Sequence, residues 1–326
     1  MYRGEIVLRA RRCLAQQRAD KESIYRQHLQ EAYAKLPRLK EIDMQLRQTM
    51  TLAAQTVFTQ GGDPVAAMEQ VKDQNLALQQ ERKALVEKHF APDFLDESPV
   101  CDHCGGNGYM GSTMCSCLQE LCRQEQKASL RQLTTGQEQF DKFRLDYYPE
   151  RFSREYGASP RDIMTLNLKN SRQFADAFQP GVGNLLFVGN TGLGKTFLSA
   201  CIADVVTDRG YSVVYESAPQ LFAKLEKNRF GPDEKSRADA ELFENCDLLI
   251  IDDLGTEMPG NFVTAALYSL LNQRLLDEKS MIISTNLNVE EIAKRYSPQI
   301  ASRMQGSFKG MTFVGEDIRV LKKRGL

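Results

Sequence analysis

The sequence predicts an α/β fold: a parallel sheet with helices on both faces, preceded by an α-helical arm and a small cysteine-rich segment. Three observations carry this. Short apolar runs alternate with helical patterns through the C-terminal half. A glycine-rich loop joins one of those runs to the helix after it. Ahead of both lies a polar, Gln-rich stretch with helix-favouring composition, followed by closely spaced cysteines.

Length and charge set the outer bounds. A chain of 326 residues with a formal net charge of −1 has room for about two domains. That charge balance excludes a globally basic nucleic-acid coat but permits a local basic patch. No apolar run approaches the ~18 residues of a membrane span. Met1-Tyr2-Arg3-Gly4-Glu5 lacks the apolar core of a signal peptide. A cytoplasmic protein with no membrane partner is expected.

Glu5 to Leu36 contains no glycine or proline and reads as one helix, with Ile6, Leu14, Ile24, Leu29 and Tyr33 as a thin apolar stripe. Pro37 breaks it and opens a second helix through Ile42, Leu46, Met50 and Val57. Gly61-Gly62 reads as a turn, and Asp63-Pro64 as cap and first residue of a third helix reaching about His89. Such an arm either docks a partner protein or packs on its own chain. His28 and His89 read as surface residues.

Eight cysteines suit a reducing compartment if they serve as ligands or buried thiols. Cys101 and Cys104 form C-x₂-C, a glycine-rich turn follows, and Cys115 and Cys117 form C-x-C. Four thiolates at this spacing can reach one tetrahedral ion, and soft ligands in a closed site favour Zn²⁺ in a structural role. Cys122 or His103 could replace one ligand. A helix then runs from Leu118 to about Leu133, ended by Thr134-Thr135-Gly136.

Phe140 to Pro149 reads as an extended, aromatic-rich connector, and Arg161 to Phe178 as a helix. Strands follow at Leu185–Val188, Val213–Tyr215, Leu248–Ile251 and Met281–Asn286. Helices at Phe197–Val206, Pro219–Lys227 and Phe262–Leu276 alternate with them. This pattern implies a parallel sheet with ligands at the carboxyl ends of its strands.

The central motif is Gly189-Asn190-Thr191-Gly192-Leu193-Gly194-Lys195-Thr196, which fits G-x-x-x-x-G-K-[ST] between a strand and a helix. Its glycines let backbone N–H groups turn toward an anion, and the helix N-terminus favours negative charge. Lys195 suits the phosphates of ATP, and the hydroxyl of Thr196 suits Mg²⁺. Asp252 ends a buried strand, where a carboxylate can hold Mg²⁺ directly or through water. Asp253 is placed to orient or deprotonate an attacking water, and Asn286 to position that water or sense the γ-phosphate. Arg303 and Arg319 are two arginines of the C-terminal part that could meet developing phosphoryl charge.

These motifs, in this order, resemble the DnaC/DnaI helicase-loader and IstB-like group of AAA+ ATPases. Asp252-Asp253-Leu254-Gly255, Ser284-Thr285-Asn286, Ser302-Arg303 and Asp317-Ile318-Arg319 join the glycine loop in carrying the resemblance. It covers about Phe140 to Leu326, and the cysteine segment, similar to that of DnaI-type loaders, extends it back to about Cys101. The resemblance implies an AAA+ P-loop fold, with Lys195 and Thr196 in Walker A and Asp252 and Asp253 in Walker B. It implies Asn286 as sensor 1, Arg303 as arginine finger and Arg319 as sensor 2. Asp253 stands where the family usually has Glu, which implies slow hydrolysis.

The expected organisation is a helical arm over 1–98, a zinc segment with its helix over 99–133 and an AAA+ domain over 134–326. The implied function is ATP-dependent loading of the replicative DNA helicase. Single-stranded DNA would meet Arg229 to Lys235 and Lys322-Lys323-Arg324, and Arg303 would act across a self-association. One alternative is an IstB-like ATPase helper of a transposase. Another is a zinc-dependent adaptor that binds ATP and barely hydrolyses it.

Overall fold

The computed structural model describes residues 2, 4–59, 64–133, 138–231 and 233–324. The expected turns at Gly61-Gly62 and Thr134-Thr135-Gly136, and the cap at Asp63, lie outside these residues. The chain forms two compact units, Arg11–Leu118 and Met1–Ala10 with Gln119–Leu326.

The Arg11–Leu118 unit is built on three helices. Helix α1 spans Gly4–Lys35, and its first residues belong to the other unit. Helix α2 spans Pro37–Thr59 and α3 spans Pro64–His89. The break at Leu36 follows from the proline after it, which disfavours helical backbone at the preceding residue. Leu14, Ala32, Leu39 and Ile42 are buried, whereas Ile24 is 54% exposed, so the expected stripe is only partly used. Polar side chains complete the packing. Arg82 pairs with Asp43 at 2.8 Å, and Tyr33 donates to the same carboxylate at 2.7 Å. His28 departs from the surface role expected of it. Its Nδ1 donates to the Phe94 carbonyl at 2.7 Å and its ring stacks on Phe94 at 4.3 Å. A small hairpin follows, β1 (Tyr109–Met110) and β2 (Thr113–Met114), joined antiparallel. Helix α4 (Ser116–Leu133) leads out of it.

In the other unit the aromatic connector is not extended as expected but forms single 3₁₀ turns at Phe140–Lys142 and Leu145–Tyr147. Helix α5 (Pro160–Asp176) starts from a Ser159 cap with proline at its first position. Then come β3 (Asn184–Val188), α6 (Lys195–Asp208), β4 (Val213–Ser217), α7 (Ala218–Phe230) and α8 (Glu234–Asn245). Next are β5 (Leu248–Leu254), α9 (Asn261–Leu276), β6 (Ser280–Thr285) and α10 (Val289–Arg295). The fold closes with α11 (Pro298–Ser307), β7 (Phe308–Thr312) and α12 (Ile318–Lys323).

The sheet order is β4-β5-β6-β3-β7, and every pairing is parallel. Strand residues alternate between two buried faces. Phe187, Ile250 and Ile282 pack under Phe174, Leu198 and Ile202. Leu186, Leu249, Ile251 and Ile283 pack on the other face under Leu221, Phe243, Leu271 and Met304. The sheet with helices on both faces is the fold the sequence predicts.

Five elements were not legible in the sequence: α8, α10, α11, β7 and α12. The helices are short, and capping motifs rather than apolar stripes start two of them. Asp233 with Ser236 caps α8, and Asn288 with Glu291 caps α10. Strand β7 reads Phe-Lys-Gly-Met-Thr and buries only Phe308 and Met311, as suits an edge strand.

Candidate nucleotide site and cysteine cluster

The glycine loop leaves β3 at Val188 and enters α6 at Lys195. Neighbouring backbone holds it from several sides. The N–H of Gly189 donates to Thr285 O at 3.1 Å, and that of Phe313 to Val188 O at 2.7 Å. A Cβ on Gly189 would lie 2.3 Å from the Phe313 carbonyl oxygen, so only glycine fits. At Gly192, φ is +76 and a Cβ would meet an Asp317 carboxylate oxygen at 2.0 Å. The Ile318 N–H donates to Gly192 O at 3.0 Å. From the connector, the buried Tyr148 hydroxyl donates to Leu193 O at 3.0 Å.

Lys195 is only 4% exposed. Its Nζ donates to the carbonyls of Gly189 at 2.6 Å and Asn190 at 2.7 Å, within its own loop. Burial lowers its pKa, with Asp253 and Asp252 opposing and Arg319 adding to the shift. An anion in the loop offers this ammonium a charged acceptor in place of two neutral carbonyls.

Asp252 sits at the carboxyl end of β5 and is buried. Three hydroxyls surround its carboxylate. Thr196 Oγ1 donates to Oδ2 at 3.0 Å, Tyr215 donates to the same oxygen at 2.9 Å, and Ser284 donates to Oδ1. The Thr196 and Asp252 oxygens are hard donors side by side, a fit to Mg²⁺. Directly after Asp252, the β5–β6 register shifts between Ile251 and Leu254. Asp253 there has φ +54, left-handed backbone that Asp adopts more readily than most residues. This kink aims Asp253 out of the sheet. Desolvation and the Asp252 charge push its carboxyl pKa up, while Lys195 and Arg319 oppose.

A cavity of about 550 Å³ opens here. The loop from Thr191 to Phe197 lines it together with Asp253, Arg319, Lys142 and Lys322. Its size suits a nucleotide-sized ligand, and its cationic walls suit phosphate. The structure therefore brings together the loop, Asp253 and Arg319 in one cavity, with Asp252 directly behind. Asn286, at the exposed end of β6, does not line the cavity. Arg303 lies apart on α11. Its guanidinium stacks 4.6 Å over the Tyr268 ring and bonds to Tyr268 Oη at 3.0 Å and to Asn272.

Sequence reasoning missed the supporting groups: Tyr215 and Ser284 around Asp252, and Tyr148, Phe313 and Asp317 around the loop. Ser284 stood two residues before the chosen Asn286, and Tyr215 ended a predicted strand. Neither carried a local signal of its contact.

The cysteine cluster forms as the spacing suggested. The Sγ atoms of Cys101, Cys104, Cys115 and Cys117 lie within 4.8 Å of one another. Cys101 and Cys115 are 3.8 Å apart, and Cys104 and Cys117 are 3.5 Å apart. Zn–S bonds of about 2.3 Å place tetrahedral sulfurs about 3.8 Å apart, so the four fit zinc. The Gly105 N–H donates to Cys101 O at 2.8 Å, and the Gly108 N–H to Cys104 Sγ at 3.2 Å. Burial pushes the Cys104 thiol up, but the Gly108 N–H and the neighbouring thiols outweigh it, bringing its pKa down to about 6. Among the described residues the group includes neither His103 nor Cys122. Cys122 is buried, and that burial pushes its pKa up to about 11.

Fold and cavity together define a phosphate-loop protein of the nucleotide-binding α/β class. The model of the IstB-like ATP binding proteins matches residues 119–302, and the chain belongs to that family. The replicative helicase loader DnaC of Escherichia coli K12 is 25% identical over 141 residues, 42% of this chain and 56% of its own. The match thus spans a little over half of that relative. DnaC of Buchnera aphidicola subsp. Baizongia pistaciae is 20% identical over 240 residues, 73% of this chain and 92% of its own. A crystal structure of the DnaC helicase loader aligns at 20% identity with a TM-score of 0.44, covering 54% of this chain and 98% of that one. Among the described residues no helix is long and apolar enough to cross a membrane.

Proposed function

We propose that the protein is a cytoplasmic, ATP-dependent loader of a replicative DNA helicase. The observation that carries the ATPase part is the single cavity joining the Thr191–Phe197 loop, Asp253 and Arg319. Family membership and the similarity to DnaC loaders support the client.

In this reading Lys195 leaves its loop carbonyls for the β- and γ-phosphates. Thr196 and Asp252 hold Mg²⁺, which neutralises phosphate charge when bound. Asp253 orients the attacking water and receives its proton, and Asn286 aids from the end of β6 once the site closes. Arg319 contacts the γ-phosphate in cis. Arg303, facing away on α11, serves the site of a neighbouring copy. The shorter Asp at position 253 makes turnover slow, so bound nucleotide acts as a timed switch. Arg229 to Lys235 and Lys322-Lys323-Arg324 supply cations for single-stranded DNA phosphates. In the first segment, Lys235 pairs with Glu5, leaving Arg229 as the better DNA contact. The division into an arm (1–98), a zinc segment (99–133) and an ATPase domain (134–326) belongs to the same proposal, with arm and zinc segment gripping the helicase.

The family match also supports a second reading, an ATPase helper of a transposase. Co-purification of the full chain with the host's replicative helicase, in ATP and in ADP, separates the two. Nucleotide-dependent capture of helicase supports loading. Capture of a transposase instead overturns it. Lys195→Ala should abolish ATP binding, and Asp253→Asn should abolish turnover alone. If Asp253→Asn leaves loading intact, nucleotide binding rather than hydrolysis is the working step.

A further inference from the structure

One buried acid near the cavity has no part in the site described so far. Glu257 is 5% exposed. Its Oε2 accepts from the Gly255 N–H at 2.9 Å. Its Oε1 accepts from the Tyr296 hydroxyl and lies 3.4 Å from Arg295 Nε. Its backbone carbonyl accepts from the same guanidinium. Arg295 is the last residue of α10 and Tyr296 its cap, just before α11. Burial, then Glu257, push the Tyr296 hydroxyl pKa up, so it stays a donor.

The Glu257 carboxylate therefore joins two places. One is the turn that follows Asp253. The other is the corner from which α11 carries Arg303. That turn needs an external hold, because Asp253 and Gly255 both have positive φ, +54 and +106. A non-glycine residue in left-handed backbone costs roughly 1 kcal/mol or more and persists only where its surroundings determine it. Within the turn, Thr256 donates to Asp253 O through its N–H and its hydroxyl. Glu257 supplies the link from this turn to α10.

We propose that Glu257 is a positioning residue for ATP hydrolysis, holding the Asp253–Thr256 turn to the α10–α11 corner so that Asp253 keeps its aim into the cavity. This rests on reading the cavity as an ATP-hydrolysing site. Glu257 does not line that cavity. Its loss therefore affects the aim of Asp253 and not the phosphate contacts.

The test compares Glu257→Gln and Tyr296→Phe with the unsubstituted full chain. A carboxamide can accept from Gly255, but its NH₂ then faces the Arg295 Nε–H, which can only donate, and Tyr296 must turn from donor to acceptor. Tyr296→Phe removes one hydroxyl and preserves the ring. Titration with a fluorescent ATP analogue reads affinity, and phosphate release reads turnover. In Glu257→Gln, affinity should stay within about twofold while turnover falls about tenfold, the split expected when only transition-state geometry is lost. Tyr296→Phe should show the same split with a smaller fall. Unchanged turnover in Glu257→Gln overturns the inference, as does an equal loss of affinity and turnover. If Glu257→Gln does not fold, Tyr296→Phe decides by the same criterion. Asp253→Asn is the control. If it abolishes turnover while Glu257→Gln leaves it intact, only the role of Glu257 fails. If the unsubstituted chain releases no phosphate, with or without single-stranded DNA, the hydrolysis reading and this inference fail together.

Discussion

The Ser284 hydroxyl donates to the Asp252 carboxylate, and the same oxygen accepts the backbone N–H of Asp253 at 2.9 Å. One side chain on β6 thus orients one acid by its carboxylate and the next by its backbone. Ser284→Ala leaves a donor and a charged acceptor short of a partner in a buried place. The expected cost is about 1–3 kcal/mol of stability, seen as a lower thermal midpoint. Mg²⁺ should also tighten binding of a fluorescent ATP analogue less than in the unsubstituted protein. An unchanged midpoint with unchanged Mg²⁺ dependence would remove Ser284 from the site.

Gly192 is confined by Asp317. A methyl group there meets carboxylate oxygen at 2.0 Å on a backbone of φ +76. Gly192→Ala should weaken binding of the ATP analogue by tenfold or more, roughly 1.4 kcal/mol or above. It should also lower the thermal midpoint. Adding Asp317→Ala relieves the clash but not the backbone strain, so the double variant should recover only part of the affinity. Full affinity in Gly192→Ala would show that the C-terminal segment does not hold the loop.

The cysteine group should bind metal and stabilise its own unit. Elemental analysis of protein purified without chelator is expected to give one zinc per chain for the four-sulfur group. Cys115→Ser should abolish that content and expose the Cys101–Cys117 segment to protease. ATP-analogue binding should persist, because the cluster and the cavity lie in separate compact units. Zinc retained in Cys115→Ser would point to a different ligand set.

Arg303 rests on Tyr268 and Asn272, away from its own chain's cavity. Arg303→Ala should therefore leave ATP-analogue affinity unchanged. Turnover per chain should rise with protein concentration in the unsubstituted protein and stay flat in the variant. Arg303→Lys should not rescue it, because a point ammonium lacks the planar fork that meets phosphoryl oxygens. Turnover independent of concentration in both proteins would rule out a role in trans.

Much of the site was legible because its chemistry is local. The glycine loop, the adjacent Asp252 and Asp253 and the C-x₂-C and C-x-C spacings each depend on residues a few positions apart; Thr191–Phe197 and Asp253 line one cavity, and the four sulfurs form one cluster. Asn286 was chosen from its place at the end of a strand and Arg303 mainly from motif order, and neither lines the cavity.

By itself, the sequence determined the alternating strands and helices, the phosphate loop and the four-sulfur cluster. Side-chain period and short spacing survive in any chain that folds at all. Tertiary structure alone decided the rest. The β5–β6 register shift turned Asp253 outward. Sheet order brought Tyr215 and Ser284 onto Asp252. The return of the C-terminal segment set Asp317 against Gly192. Each of these joins residues distant in sequence, and their partners are fixed by register and packing, which no local pattern encodes.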